Sequence, residues 1–221
     1  VKFADMNEID KYALWTLNEV VKQAETGFEN YEFHKTVKVI NDFCTVFLSG
    51  FYLDALKDIL YCDKVNSKAR RSAQSAMLEI VTALVEVMSP ILTFTMHEAW
   101  KEIKKIKQDL PEFVTLVDFP AVNEEYKLEK DVLAKWETLV KIKQQVLAET
   151  EKLRKDKIIG SNLESSLTIK YGSNFEKALN DIDLINIVFG SWDIKLEKSD
   201  NAEEISVVAG KSSYGKCERC W

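Results

Sequence analysis

Residues 51–61 of this chain read FYLDALKDILY, residues 69–74 read ARRSAQ, and residues 89–100 read SPILTFTMHEAW. Together they decide the fold class. Apolar side chains recur at helical spacing in each of them, and polar and basic residues separate the first from the second. This pattern predicts two packed helices, a basic turn between them and a capped third helix.

The ends of these helices can be predicted from their sequence. Ser67 has the side chain of an N-cap for the helix that follows the basic turn. That helix must end before Pro90, because proline lacks a backbone donor and disfavours a helical residue before it. Thr95 and Glu98 have the spacing of a capping box, which predicts that the next helix begins with Thr95 as its N-cap.

Two further helices are predicted upstream. Residues 7–26 carry an apolar stripe, and Gly27 is a natural helix stop. A second helix is predicted to begin near Tyr31 and to continue to Leu56, with a bend near residues 49–50. Four helices with short connections predict an antiparallel bundle over residues 1–106.

The rest of the chain has a different pattern. Residues 107–126 contain two prolines and are predicted to be an irregular connector. A long amphipathic helix ending at Gly160 and a small α+β region are predicted over residues 127–210. The fold class is therefore mainly α, a helix bundle followed by a long helix and a small α+β domain.

Within residues 127–210, strict alternation predicts a strand from Ser166. Two more strands are predicted at residues 192–196 and 205–208, with a short helix at residues 174–179. Residues 211–221 are predicted to begin a truncated zinc-binding module.

The composition limits the class of protein. The formal charge of −6 gives no global attraction for nucleic acid, so any RNA contact must come from a local basic patch. We find no signal peptide and no apolar run of the ~18 residues that a membrane span needs. The four cysteines do not form a secreted disulfide framework. These features favour a cytoplasmic protein.

One basic cluster stands out in the acidic chain. Its cations are Lys57, Lys64, Lys68, Arg70 and Arg71, with Tyr61 among them and only two acidic residues in the same span. Cations neutralise phosphates, and an exposed aromatic ring can stack on an unpaired base. A solvated turn between helices is the other interpretation of so short a charge run.

A metal half-site is predicted at the end of the sequence. Cys217 and Cys220 form a C-x-x-C pair, which places two thiolates on one edge of a tetrahedral zinc site. Zinc needs four ligands, so the site is incomplete in this chain. A thioredoxin-type redox pair is the alternative, but the motif does not open a helix after a strand. Cys44 and Cys62 are predicted to be small buried hydrophobic residues.

Several segments, in order along the chain, resemble the anticodon-binding region of bacterial-type isoleucyl-tRNA synthetases, a class I family. They are residues 10–14 (DKYAL), 31–35 (YEFHK), 41–44 (NDFC), 48–54 (LSGFYLD), 57–63 (KDILYCD), 154–161 (RKDKIIGS) and 216–221 (KCERCW). The similarity therefore covers nearly the whole chain.

The resemblance implies a helical anticodon-binding bundle that binds the isoleucine tRNA. It further implies a monomeric parent enzyme that joins isoleucine to tRNA with ATP and Mg²⁺ and holds zinc near its C-terminus. The catalytic signatures of class I are absent, so this chain alone is expected to be inactive. It departs from the family at Ile59, where a basic residue is usual, and at Phe47, where an acidic one is usual. The rival hypothesis is a helical protein-interaction module without RNA function.

Overall fold

The computed structural model describes residues 1–215. The helices are α1 Glu8–Glu29, α2 Phe33–Asp42, a π-helical segment Phe43–Tyr52, the single turn α3 Leu53–Ala55, α4 Lys57–Cys62, α5 Lys68–Met88, α6 Thr93–Lys104, α7 Lys130–Lys155 and α8 Ile182–Phe189. The strands are β1 Ser165–Tyr171, β2 Asp193–Lys198 and β3 Ile205–Lys211. Over residues 1–215 the chain is mainly helical with one small sheet, as the sequence predicts.

The chain divides into two compact units. The first unit comprises Val1–Tyr52 and Asp63–Leu128, and the second comprises Leu53–Cys62 and the described residues from Glu129 onward. Helix α4 therefore belongs to the second unit, although it lies between two helical segments of the first. The domain boundaries predicted from the sequence stay predictions.

The first unit is organised around α1, which packs against α2 and α5. Buried Asp10 on α1 accepts hydrogen bonds from the Tyr52 hydroxyl at 2.7 Å and the Ser72 hydroxyl at 2.5 Å. Burial raises the pKa of the Asp10 carboxyl, and the two hydrogen bonds partly oppose that rise. One carboxylate thus ties α1 to the end of the π-helical segment and to α5.

Gly27 does not end α1, contrary to the sequence-based prediction. The helix continues to Glu29, and the chain reverses through Tyr31, whose φ is +58°. A Cβ atom at Gly27 would lie 2.2 Å from the Thr36 side-chain oxygen on α2. The glycine therefore permits a close approach of α2 to α1, which is a tertiary reason for its presence.

The predicted continuous helix from Tyr31 to Leu56 changes its winding at Phe43. Residues 43–52 form a π-helical segment in which the rings of Phe43 and Phe47 stack with their centroids 5.4 Å apart. Phe47 also contacts Phe51 and Tyr52. Phe47, one of the two positions at which the chain departs from the family that it resembles, thus belongs to a cluster of aromatic rings.

The two predicted caps have different outcomes. Ser67 is confirmed as the N-cap of α5, since its side chain accepts a hydrogen bond from the Arg70 amide. The capping box at Thr95 is wrong, because α6 already begins at Thr93. The amides of Ile91 and Leu92 both donate to the Met88 carbonyl, so the chain turns tightly after α5 and enters α6 earlier.

The second unit contains the sheet, with strand order β2-β1-β3. β1 pairs in parallel with β2 and antiparallel with β3, and Leu167 lies between Ile194 and Ala209. A parallel pair needs a crossover, and α8 lies within the connection from β1 to β2. The alternate burial of β1 confirms the strand predicted there.

Two details of the second unit correct the sequence-based predictions. The long helix α7 ends at Lys155 rather than at Gly160, and Lys157 has a φ of +58°. The short helix expected at residues 174–179 is instead a 3₁₀ turn at Ser173–Phe175, and the α-helix of this connection is α8. Asp181 caps α8, and Gly190 follows it with a φ of +68°.

Candidate nucleic-acid interface

The turn before α5 and the first residues of that helix carry four of the six predicted RNA-binding residues. Ser67 accepts from the Arg70 amide, and its hydroxyl donates to an Asp63 carboxylate oxygen at 2.9 Å. The cap therefore orders the turn and sets the direction in which α5 begins. Lys64, Lys68, Arg70 and Arg71 lie on or directly after this turn.

Arg70 helps to hold the turn. Its side chain is half-buried and donates to the Asp63 carbonyl oxygen at 3.1 Å. Its Nε atom is buried without a hydrogen-bond partner among the described residues. A guanidinium held in this way is a positioning group for the turn.

Arg71 is exposed, and its guanidinium donates to the Gln74 side-chain oxygen at 3.0 Å. Lys64 and Lys68 are exposed too, and neither has an ion-pair partner within residues 1–215. These three cations are available to a polyanion without first breaking a salt bridge. The first unit therefore presents a basic surface made of Lys64, Lys68 and Arg71.

The other two predicted residues, Lys57 and Tyr61, lie on α4 in the second unit. They are four residues apart, so they share one face of the helix. Lys57 is exposed and forms an ion pair with Asp54 at 2.7 Å, while Tyr61 is 80% exposed. Ile59 is buried. Ile59 is thus a core residue at a position where the family that the sequence resembles usually has a basic residue.

Trp192 is an exposed aromatic residue, and the sequence predicts it at the start of a strand. It lies just before β2, its side chain is 55% exposed, and its indole N–H is 3.4 Å from an Asp58 carboxylate oxygen on α4. The signal that could have identified it is its position directly after Gly190 and Ser191, where a helix ends. The second unit thus has two exposed rings associated with α4.

Lys143 on α7 is a cation with a different environment. Only 3% of the residue is exposed, and its Nζ atom has no hydrogen-bond partner among the described residues. Burial lowers the pKa of the Lys143 ammonium, while the carboxylate of Asp54 opposes that fall. This side chain lies out of reach of a surface ligand.

The predicted metal half-site of Cys217 and Cys220 lies outside the described residues. Within residues 1–215, no three His, Cys, Asp or Glu side chains are grouped to hold a metal ion. Cys44 and Cys62 are half-buried free thiols, and burial raises the pKa of Cys44. Over the same residues, no helix is long and apolar enough to cross a membrane.

Comparison with known proteins gives consistent matches. A family model described as the anticodon-binding domain of tRNA ligase matches residues 10–170. The chain is 34% identical to an isoleucine–tRNA ligase of Natranaerobius thermophilus, over 100% of this chain and 25% of that protein. It is 38% identical to one from Neisseria gonorrhoeae strain FA 1090, over 100% of this chain and 24% of that protein. The chain thus spans about a quarter of the length of these curated relatives.

Proposed function

The chain belongs to the family of anticodon-binding domains of tRNA ligases, and from that premise we propose that it is the tRNA-binding region of an isoleucine–tRNA ligase. The observation that carries the proposal is that isoleucine–tRNA ligases from different bacteria align with the whole of this chain. The whole enzyme would join isoleucine to its tRNA using ATP and Mg²⁺. This chain would contribute binding rather than catalysis.

The exposed cations of the first unit support the binding role. Lys64, Lys68 and Arg71 would neutralise phosphates of the tRNA backbone, which supplies affinity but carries little sequence information. Arg70 would act indirectly, because it holds the turn that displays them. Tyr61 on α4 would stack on an unpaired base. Binding through a few local cations agrees with a chain whose total charge is negative.

The test is direct binding of tRNA to the 221-residue chain. We expect isoleucine tRNA to bind more tightly than a tRNA for another amino acid. The logarithm of the affinity should fall linearly with the logarithm of the salt concentration, because counterions are released from the RNA. Absence of binding to any tRNA at low salt would refute the proposal. It would favour the protein-interaction module, which the comparisons do not support.

The family assignment also supports proposals about the oligomeric state, the cellular location and the zinc site of the parent enzyme. We propose that the parent works as a monomer in the cytoplasm, where its tRNA and ATP are found. We also propose that Cys217 and Cys220 supply two of the four zinc ligands of a structural site in that parent. A structural zinc would help to fold the module that contains it, since its ligands are brought together only in the folded state.

A further inference from the structure

Trp192 is an exposed indole on a firmly held backbone. Gly190, with its φ of +68°, ends α8 just before it, and Asp193 begins β2 just after it. The intervening Ser191 is buried, and its hydroxyl donates to the Ser165 carbonyl at 2.7 Å. A large apolar ring is therefore presented to solvent from a rigid position rather than from a mobile loop.

The indole is also held at its edge. Its N–H group is 3.4 Å from an Asp58 carboxylate oxygen on α4. Asp58 and Tyr61 are three residues apart on that helix and so are neighbours on its surface. A hydrogen bond at the ring edge leaves a flat apolar face free for stacking, close to the helix that displays Tyr61.

From these observations we infer that Trp192 is a stacking platform for an unpaired base of the bound RNA. The inference rests on the proposed tRNA-binding function and deepens it. Every base has a flat π face, so an exposed indole can accept it without reading its identity. A rigid ring suits this role, because little side-chain entropy is lost when the base binds.

The charges around Trp192 favour a base over a phosphate. Asp58 touches the indole, and the nearest cation on α4, Lys57, is already paired with Asp54 at 2.7 Å. The Asp58 carboxylate at the edge of the indole would repel a phosphate placed against this ring. A neutral base avoids that repulsion. The contact should therefore add affinity with little dependence on salt.

The test compares two RNAs that differ in unpaired bases. One is the anticodon stem-loop of isoleucine tRNA, and the other is a fully paired duplex with the same stem. We expect Trp192→Ala to weaken stem-loop binding by about tenfold, the usual size of one lost base–aromatic stack. The salt slope and the duplex affinity should not change. Trp192→Phe should retain most of the affinity.

Phe94→Ala is the matched control, because Phe94 is a 90% exposed ring that belongs to the first unit, whereas Trp192 belongs to the second. It should leave stem-loop binding unchanged. A second measurement does not depend on the alanine variant folding. Stem-loop RNA should quench the tryptophan emission of the wild-type chain more than that of Trp192→Phe, because stacking alters the emission of the ring involved.

The outcomes separate the two proposals. If the wild-type chain binds neither RNA nor tRNA, the tRNA-binding function fails and the stacking inference fails with it. If the wild-type chain binds but Trp192→Ala binds equally well, only the stacking inference is overturned. An equal loss on stem-loop and duplex would also overturn it, because a stacked unpaired base exists only in the loop.

Discussion

At the scale of single residues, adjacent side chains of one type have different surroundings. The Arg70 side chain donates to the Asp63 carbonyl and is half-buried, whereas the guanidinium of the exposed Arg71 donates within residues 1–215 only to the Gln74 side chain. From the sequence alone, Arg70 and Arg71 are predicted to play the same part in one basic cluster. Their contacts assign the first to the turn and leave the second available to a ligand.

Replacing Arg71 with Ala should weaken tRNA binding and reduce the slope of log affinity against log salt by roughly one unit, because one phosphate contact is lost. The free energy of unfolding should hardly change, since the side chain is exposed. Binding titrations at several salt concentrations measure both quantities. Lys105→Ala, which removes the same charge directly after the end of α6, is the control and should leave the slope unchanged. An unaltered slope in Arg71→Ala would remove Arg71 from the interface.

Lys143 gives a prediction about stability. Its buried ammonium lacks a hydrogen-bond partner within residues 1–215, so Lys143→Met should raise the free energy of unfolding at neutral pH by about 1–4 kcal/mol. Asp54 keeps its ion pair with Lys57 in that variant. Urea unfolding measures the change. Lys141→Met, an exposed position on the same helix, should have little effect.

The pH dependence of the same variant gives an independent check. Because burial lowers the pKa of Lys143, the unfolded chain keeps this proton to a higher pH than the folded chain. The contribution of Lys143 to stability therefore rises with pH, from its lowered pKa up to the ordinary lysine value of 10.5. Lys143→Met should lose that rise. If the variant and the wild type respond alike to alkaline pH, Lys143 is not buried as a charge.

At the scale of elements, packing determines where helices end and how closely they approach. The pairing of α1 with α2 depends on Gly27, since any Cβ there would lie 2.2 Å from the Thr36 side-chain oxygen. Thr36 is fully buried, so it has little space in which to move. The glycine keeps its place inside a helix because of this contact, despite its poor helix propensity.

Gly27→Ala should lower the free energy of unfolding by about 1–3 kcal/mol, the usual cost of overpacking a well-packed interface. This should hold even though alanine favours helices more than glycine does. Chemical denaturation of Gly27→Ala, Thr36→Ala and the double variant forms a thermodynamic cycle. The double variant should be more stable than the sum of the single changes predicts, because Thr36→Ala removes the clashing oxygen. Strict additivity would contradict the contact.

At the scale of the whole molecule, the proposed binding of RNA depends on local surfaces rather than on the total charge. The chain carries a net charge of −6, yet the first unit displays Lys64 and Lys68, two exposed cations that have no ion-pair partner among residues 1–215. The second unit displays the exposed rings of Tyr61 and Trp192. A nucleic acid can use both kinds of contact, which is why the acidic total does not exclude RNA as a partner.

The zinc prediction also belongs to the whole molecule. Two thiolates, from Cys217 and Cys220, should hold zinc only weakly in the 221-residue chain, because structural sites use four protein ligands. Zinc titration with the thiols kept reduced measures the affinity. Tight one-to-one binding that is lost in Cys220→Ser would contradict this prediction. It would mean that further residues of this chain complete the coordination sphere.

Local patterns in the sequence determined much of the fold. The N-cap at Ser67, the end of α5 before Pro90 and the alternation of β1 depend on neighbours a few residues away. The order of the family's segments along the chain likewise needed no tertiary information. The cations of the candidate interface were likewise predicted from local composition, and their role in binding stays a prediction.

The rest was decided by contacts between distant residues. From the sequence Gly27 is predicted to be a helix stop, and only the packing of α2 against it gives its actual role. Helix α8 was missed because it is a short, mostly apolar run, which could equally be a buried strand. Arg70 and Arg71 are the same residue type, and only the folded turn distinguishes them, because the Asp63 carbonyl accepts a hydrogen bond from Arg70 and not from Arg71. Trp192 is exposed beside α4, 134 residues away from Asp58 in sequence, and only the tertiary structure brings them together. Side-chain exposure and long-range contact depend on the whole packed unit, and short-range sequence patterns do not encode them.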